Sequence, residues 1–385
     1  MPAALSTPTH LTVIRAVVVV TLAVCIALSG PLWGTARELP PAPLLALPLV
    51  PDAASAWVVP MLLSLLALAL VPRRWTPLPF IIVAAALVLL DQTRLQPWLY
   101  QGALFLGAFA LSDRPRPVVQ LVLAATYVWS GVSKLNPDFG QGVLPWAVAA
   151  AGTRASLPAE WLAPLGMAVG VLEAAIGVAL CLPSVRRAAA VAAAFMHGLL
   201  LLALGPLGHG WNPVVWPWNL GMATLVVLLF WDEASAPRRI LWSADWYHRA
   251  LVVLVGILPA LHPAGLWDAY LSFSLYSLNV DEAWLAAEGP SAPSLGPQAR
   301  AVAQTGTDGR LIVRFLPWAM RDVGTPPYPE RRAYLAAFRV HCERAARPAD
   351  LRLIVVRSRA LFAASRPGPE VFTCREVRQG ESPTR

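Results

Sequence analysis

The sequence predicts an all-α polytopic membrane helix bundle of about nine transmembrane helices, followed by a small α/β C-terminal soluble domain. Of the 385 residues, 57% are hydrophobic and only 14% are charged, against about 45–50% and ~25% in soluble domains. The apolar residues fall in charge-poor runs that approach the ~20 residues needed to cross a bilayer as a helix. After Trp267 charged residues return, so we expect a bundle over 1–269 and a soluble domain over 270–385.

Nine runs are predicted as spans because clusters of Arg, Pro, Asp or Gly separate them. The first is too long for the apolar region of a cleaved signal peptide, ~7–15 residues, and is kept as a span. The third and fourth are short and alternatively form a re-entrant pair, because the residues between them, 91–96, are too polar to face lipid. The predicted spans are 11–33, 54–72, 77–92, 96–112, 116–135, 160–182, 188–206, 213–231 and 250–268.

The basic residues of the short loops predict the orientation, since cytoplasmic loops carry an excess of Lys and Arg. One side carries Arg15, Arg73, Arg74, Arg114, Arg116, Arg186, Arg187, Arg238, Arg239 and Arg249, and the other carries Arg37, Arg94, Lys134 and Arg154. We therefore expect a multi-pass protein of the bacterial inner membrane, with its N-terminus in the cytoplasm and its C-terminus outside. The net charge of +8 reflects this topology, and no nucleic-acid partner is expected.

The C-terminal domain is predicted to contain a βαβ-like unit. Strands at 311–315 and 351–356 flank an amphipathic helix at 329–347, and a Pro/Gly/Ser-rich stretch at 288–297 precedes them. The tail, 375–385, is expected to be disordered. Cys342 and Cys374 both lie on the side predicted to be extracytoplasmic, where an oxidising environment permits a disulfide.

Polar side chains inside the predicted bundle are the candidate site residues. An ionisable side chain at the centre of a spanning helix costs roughly 2.5–3.5 kcal/mol, so each marks a functional hypothesis by default. The candidates for substrate binding are Asp91, Arg94, Gln96, Trp98, Tyr100, Tyr127, Asn136, His197, His209, Asn212, Trp218 and Asn219, and the candidate catalytic residue is Lys134. In the predicted orientation most of them meet at the extracytoplasmic face, which predicts an outward-opening pocket.

Each cluster also has a structural interpretation. The 91–101 turn can be an interfacial hairpin held by an Asp91–Arg94 pair, and Lys134 can snorkel to the lipid headgroups. His197 can be hydrogen-bonded to a neighbouring helix, and Glu173, within the sixth span, can be protonated or paired with an Arg or His. The spacing of His, Cys and acidic residues predicts no metal site.

Residues 127–139, Tyr-Val-Trp-Ser-Gly-Val-Ser-Lys-Leu-Asn-Pro-Asp-Phe, resemble a segment of the vitamin K-dependent gamma-carboxylase and the horizontally transferred transmembrane domain (HTTM) proteins. DoxX-like membrane proteins share a fainter version. The resemblance is strongest over 91–231, and it implies that Lys134 acts as a base on a quinone cofactor. The chain departs from the family at Leu95–Tyr100, where the catalytic histidine is missing, and at Ser133, where the family has a second lysine.

Three functions follow from these observations. The first is a carboxylase-like membrane protein with a pocket for a quinone or other isoprenoid lipid, which uses Lys134 in proton transfer. The second is a non-catalytic DoxX-like component or scaffold that partners a redox or secreted protein through its C-terminal domain. A transporter comes third, because the sequence shows no inverted repeat.

Overall fold

The computed structural model describes residues 8–45, 50–150, 158–232, 237–288, 295–359 and 365–379, so Arg154 lies outside the described residues. A helical segment lies at each of the nine predicted runs. We label them α1 Pro8–Leu28, α2 Val58–Ala69, α3 Leu78–Leu90, α4 Pro97–Leu111, α5 Pro115–Ser133, α6 Ala159–Leu180, α7 Arg186–Leu204, α8 Val215–Phe230 and α9 Trp246–Leu251. Irregular helical turns extend α9 to Ala264, and shorter helices cover Gly30–Trp33, Asp52–Ser55, Leu144–Ala149, Pro237–Leu241 and Pro297–Ala301.

The nine predicted crossings are not confirmed. Within the described ranges, five helices are long and apolar enough to cross a bilayer: His10–Leu28, Asp52–Ala69, Ala159–Leu180, Arg186–Leu204 and Trp246–Ala264. Three further apolar helices, α3, α4 and α8, are shorter. The described part of the chain is therefore that of a mostly helical membrane protein, with five candidate spanning helices and a small C-terminal sheet.

Many of the arginines predicted to be cytoplasmic gather at one end of the bundle. Arg15 of α1 donates through Nε to the Ala69 carbonyl at 2.5 Å, Arg116 donates to the Leu229 carbonyl at 3.0 Å and Arg187 donates to the Trp231 carbonyl at 2.8 Å. The C-terminal sheet lies at the opposite end. Which end faces the cytoplasm stays a prediction.

Small residues bring α5 and α6 into close contact, as is usual for helices that pack in membranes. A Cβ added to Gly131 of α5 would lie 2.5 Å from the Gly170 carbonyl oxygen of α6. One added to Gly170 would lie 3.1 Å from the Cβ of Lys134. The close approach therefore sets the end of α5 against the middle of α6, where Glu173 lies.

The C-terminal region contains a five-stranded antiparallel sheet of order β2-β3-β1-β4-β5. Its strands are β1 Glu282–Ala287, β2 Gln304–Thr305, β3 Leu311–Arg314, β4 Leu351–Val356 and β5 Glu370–Thr373. Its helices are α10 Phe315–Asp322, α11 Arg331–Arg344 and α12 Cys374–Gln379. The two predicted strands, β3 and β4, both pair with β1, so the predicted βαβ unit is split by a central antiparallel strand.

The sheet region is tied to the bundle by partly buried polar contacts. Gln96 donates to the Pro326 carbonyl at 3.0 Å, and Arg359 lies 2.7 Å from Asp138. Cys342 of α11 and Cys374 of α12 are joined by a disulfide. Part of the tail predicted to be disordered forms α12, and 380–385 lie outside the described residues, as does 289–294 of the Pro/Gly/Ser-rich stretch.

Candidate functional site

A cavity of about 650 Å³ lies among α5, α6, α7 and α8 and is closed on one side by residues 139–150 and 275–276. We call it the bundle cavity. Most of its lining is apolar, from side chains such as Met196, Leu199 and Leu200. The polar lining residues include Thr126, Tyr127, Ser130, Lys134, Glu173, His197, Asn219 and Tyr276. A large apolar space with a few grouped polar side chains is the usual form of a small-molecule site.

Lys134 and Glu173 form an ion pair in this cavity. Lys134 Nζ lies 2.8 Å from Glu173 Oε2, and the two side chains are 9% and 10% exposed. Nζ also donates to Ser130 Oγ at 2.7 Å and to the Ser130 carbonyl at 3.2 Å. Lys134 therefore does not snorkel to the headgroups. Glu173 is paired, as one of its two interpretations predicted, but its partner is a lysine and neither an arginine nor a histidine.

A second polar chain joins three helices across the same cavity. The Tyr127 hydroxyl lies 2.8 Å from His197 Nε2, and His197 Nδ1 lies 2.8 Å from Asn219 Oδ1. Asn219 Nδ2 donates to the Val215 carbonyl at 2.8 Å, which leaves Oδ1 as the acceptor. The network thus fits a neutral imidazole that carries its proton on Nδ1 and accepts the Tyr127 proton at Nε2.

Together the two groups offer a ligand both charge and hydrogen bonds. Interactions between charges are stronger in an apolar enclosure than in water. A proton can pass between Lys134 Nζ and Glu173 Oε2 without a change in the net charge of the cavity. The arrangement is therefore suited to hold the polar part of a largely apolar molecule and to exchange a proton with it.

The structure brings five of the thirteen predicted binding and catalytic residues into the bundle cavity: Tyr127, Lys134, His197, Trp218 and Asn219. Trp218 also lines a second cavity of about 200 Å³ between the bundle and the sheet region. We call it the interface cavity. Three more of the predicted residues line it: Gln96, Trp98 and Asn212.

Asp91 and Arg94 hold the chain at the start of α4 and lie outside both cavities. Asp91 Oδ2 lies 2.5 Å from Arg37 Nη2, and Oδ1 accepts from the Ala42 amide at 3.0 Å. Arg94 donates to the carbonyls of Leu87 at 3.2 Å and Trp33 at 3.2 Å. The turn is thus a polar hairpin, as its structural interpretation predicted. Arg94 Nε lies 3.7 Å from Asp91 Oδ2, so the main partner of Asp91 is Arg37 and not Arg94.

Tyr100, Asn136 and His209 also lie away from the polar groups of the bundle cavity. Tyr100 packs against Phe273 with their ring centroids 5.5 Å apart. Asn136 accepts from the Phe139 amide at 3.0 Å and so orders the turn after α5. His209 is exposed and stacks on Trp146 with centroids 4.2 Å apart. Each has a structural role that accounts for it.

Ser130 and Tyr276 contribute to the cavity although neither was predicted as a site residue. The Ser130 hydroxyl accepts from Lys134 Nζ, and its spacing of four residues from Lys134 on a helix was the available signal. Tyr276 lies beyond the last predicted span and reaches the cavity through a loop, for which the sequence offers no signal. Its OH accepts from Asn212 Nδ2 at 3.3 Å.

Residues 112–212 match the family model of methylamine utilisation protein MauE. The match includes the 127–139 segment, so the resemblance to the gamma-carboxylase, HTTM and DoxX-like proteins was wrong, and the quinone that it implied has no support from the match. The search of curated proteins gave no match, and neither did the search of solved structures. With the apolar helices, this match to a membrane protein family identifies the chain as a multi-pass integral membrane protein.

Proposed function

We propose that this membrane protein binds an amphipathic small molecule in the bundle cavity and uses Lys134 to exchange a proton with it. The observation that carries the proposal is the meeting of two buried polar groups, Lys134–Glu173 and Tyr127–His197–Asn219, at one apolar cavity. Packing alone gives no reason for this arrangement. A buried ion pair is often no more stabilising than apolar residues of similar volume, so its presence beside an empty space favours a role in binding.

The chemistry of Lys134 follows from its partners. An amine that gives its proton to Glu173 becomes a base, and one that recovers it becomes an acid, so the pair can act in either direction. Ser130 Oγ, 2.7 Å from Nζ, orients the amine toward the carboxylate. The ligand's polar group would then lie between Lys134 and Tyr127, with its apolar part along α7.

The proposal includes the division and orientation predicted from the sequence. The bundle is assigned to 1–269 and the water-exposed region to 270–385, with the latter outside the cell. The end of the bundle cavity that Tyr276 closes then faces outward. No protein partner is assigned.

The ligand is tested by mass spectrometry of small molecules that co-purify with the full chain in mild detergent. We expect one amphipathic species in near-stoichiometric amount, and its loss in Ala203→Trp, which fills the cavity from α7. Ala188→Trp is the matched control, because Ala188 is exposed on the same helix. Bulk phospholipid alone, equal in all three proteins, would contradict the proposal.

Proton transfer is tested by Lys134→Arg, which keeps the charge but cannot release a proton in a protein. In a deletion strain complemented with each variant, we expect Lys134→Arg, which keeps the charge beside Glu173, to reach the normal membrane level and yet to fail as completely as Lys134→Ala. Full complementation by Lys134→Arg would remove the proton-transfer role and leave the binding role.

The family match favours a second candidate, a part in methylamine utilisation. The matched region holds Tyr127, Ser130, Lys134, Glu173 and His197, most of the polar lining of the bundle cavity. In that case deletion would abolish growth on methylamine as the nitrogen source and leave growth on ammonium unchanged. Equal growth of the deletion strain on both would exclude this candidate.

A further inference from the structure

The bundle cavity and the interface cavity share a wall. Val143, Trp218, Leu275 and Tyr276 line both. One cavity lies among the membrane helices, and the other reaches the sheet region through Asp281, Glu282 and Pro326. A molecule that displaced the Tyr276 side chain would therefore extend from one space into the other.

Tyr276 of the wall and two residues close to it in sequence have an uncommon backbone conformation. Phe273, Tyr276 and Leu278 have φ of 52°, 49° and 53°, in the left-handed region that residues other than glycine rarely adopt. Asn212, which donates to the Tyr276 hydroxyl, has φ of 49° as well. Such strain persists only where the surrounding structure imposes it, and it concentrates at ligand sites.

Asn212 supplies an independent indication of a ligand. Its side chain is 3% exposed, and within the described part of the chain its Oδ1 atom has no hydrogen-bond partner. A buried acceptor without a donor is unfavourable, so a bound molecule that donates a hydrogen bond to Asn212 Oδ1 would remove this cost. Asn212 lines the interface cavity.

The charges in the interface cavity limit what that donor can be. Asp281 and Glu282 contribute two carboxylates, and Arg314, the one arginine among the described lining residues, lies 3.5 Å from Glu282. The lining therefore lacks a spare cation for a phosphate or carboxylate head. Asp281 is likewise paired, with Arg357 at 3.0 Å, so neither carboxylate is left to bind an ammonium head, and an uncharged hydroxyl or N–H group fits both Asn212 and its surroundings.

From these observations we infer that the two cavities are compartments of one site for an elongated, neutral amphiphile, which keeps its proton-exchanging group between Lys134 and Tyr127 in the bundle cavity and places a second group, a hydroxyl or N–H, against Asn212 Oδ1. This inference rests on the proposed function and adds the class of the ligand. Tyr276 lies where the molecule passes from one compartment to the other.

The test uses two long-chain primary alcohols that carry a photoreactive diazirine, one beside the hydroxyl group and one at the far end of the chain. Purified full-length protein is labelled with each, and the labelled peptides are identified by mass spectrometry. We expect the head-labelled alcohol to mark residues of the interface cavity, such as 211–215 and 274–278. The tail-labelled alcohol should mark residues of α7 in the bundle cavity.

Variants make the test specific. Leu316→Trp narrows the interface cavity from its outer side and should abolish head labelling there, whereas Leu266→Trp, at an exposed leucine outside both linings, should not. Asn212→Gly keeps the left-handed backbone and should lower head labelling by about five-fold, the effect of one neutral hydrogen bond. Labelling by both alcohols confined to the bundle cavity would overturn this inference alone, and no saturable labelling by either would overturn the proposed function too.

Discussion

Lys134 Nζ and Glu173 Oε2 lie 2.8 Å apart, on helices that touch through Gly131 and Gly170. The contact between these glycines makes the ion pair possible, because a side chain at either position would separate the helices. The pair is buried beside a cavity, so it can be tested both as a source of stability and as a part of the site.

Replacing one partner of the ion pair is predicted to destabilise the protein more than replacing both. Glu173→Leu or Lys134→Met alone leaves a buried charge unpaired and should destabilise the protein by about 3–5 kcal/mol. The double variant Lys134→Met/Glu173→Leu should recover most of that loss. Thermal unfolding in detergent measures both effects, and a double variant as unstable as the sum of the single variants would contradict the prediction.

Tyr127→Phe should weaken ligand retention with little effect on folding. It removes the hydroxyl 2.8 Å from His197 Nε2 but keeps the ring, so the expected loss of stability is only that of one hydrogen bond, about 1 kcal/mol. Co-purification measures the ligand. Tyr247→Phe, which removes a hydroxyl that donates to the Leu104 carbonyl at 3.0 Å and lies outside both cavities, is the control, and equal retention in both variants would argue against a role for Tyr127.

The C-terminal region should lose stability in acid because of His341. Burial, followed by the nearby Arg344, lowers the pKa of His341 from 6.5 to about 4. The unfolded chain therefore binds a proton between pH 6.5 and 4 that the folded chain does not, so this contribution is complete above pH 6.5 and is lost as the pH falls to 4. From the shift it amounts to roughly 3 kcal/mol.

His341→Gln is expected to flatten this dependence, as measured by denaturant unfolding of the full chain between pH 7 and pH 4. Glu330 provides a contrast, since burial, with Asp268 nearby, raises its pKa from 4.5 to about 8. Its contribution is complete below pH 4.5 and is lost as the pH rises through 8. Glu330→Gln should therefore remove a fall in stability between pH 4.5 and pH 8, opposite in sign to the effect of His341, when the same measurement is extended to pH 9. Equal profiles for the two variants would refute both assignments.

Cys342 and Cys374 should be oxidised to each other in protein from intact cells. The bridge closes a loop of sequence separation 32, so its loss in Cys374→Ser should cost roughly 3–4 kcal/mol. A maleimide gel shift on the unfolded, unreduced chain reports the thiols. Cys25 and Cys181 are free, so two reactive thiols are expected before reduction and four after it; four before reduction would contradict the prediction.

The orientation is predicted from the arginine distribution. Reporter fusions after Arg239 and after Tyr270 should read cytoplasmic and extracytoplasmic respectively, because α9 and its extension to Ala264 lie between them. Immunoblots of the fusions control for expression. The same compartment for both would exclude a crossing between these positions, and reversed compartments would exclude the assigned orientation.

The sequence itself determined that this chain is a helical membrane protein, where its helical segments lie and that a small sheet follows them. These properties depend on local composition: apolar runs must face lipid as helices, and their backbone groups must be satisfied within each helix. Lys134, His197 and Asn219 were predicted as site residues for the same reason, since polar side chains in apolar runs need an explanation.

Only the tertiary structure decided how those residues combine. The sequence marked Glu173 as a buried charge that needs a partner, and that partner, Lys134, lies 39 positions earlier. Which residue pairs with Glu173 depends on which helix packs against α6, and hydropathy carries no information about helix packing. Asp91 and Arg94 carried the same signal as Lys134, yet nearby carbonyls and Arg37 satisfy them as parts of a turn. Tyr276 enters the site from a loop that follows α9, the last helix of the bundle. Packing geometry sets which distant side chains contact one another, so the local composition of the sequence does not predict these contacts.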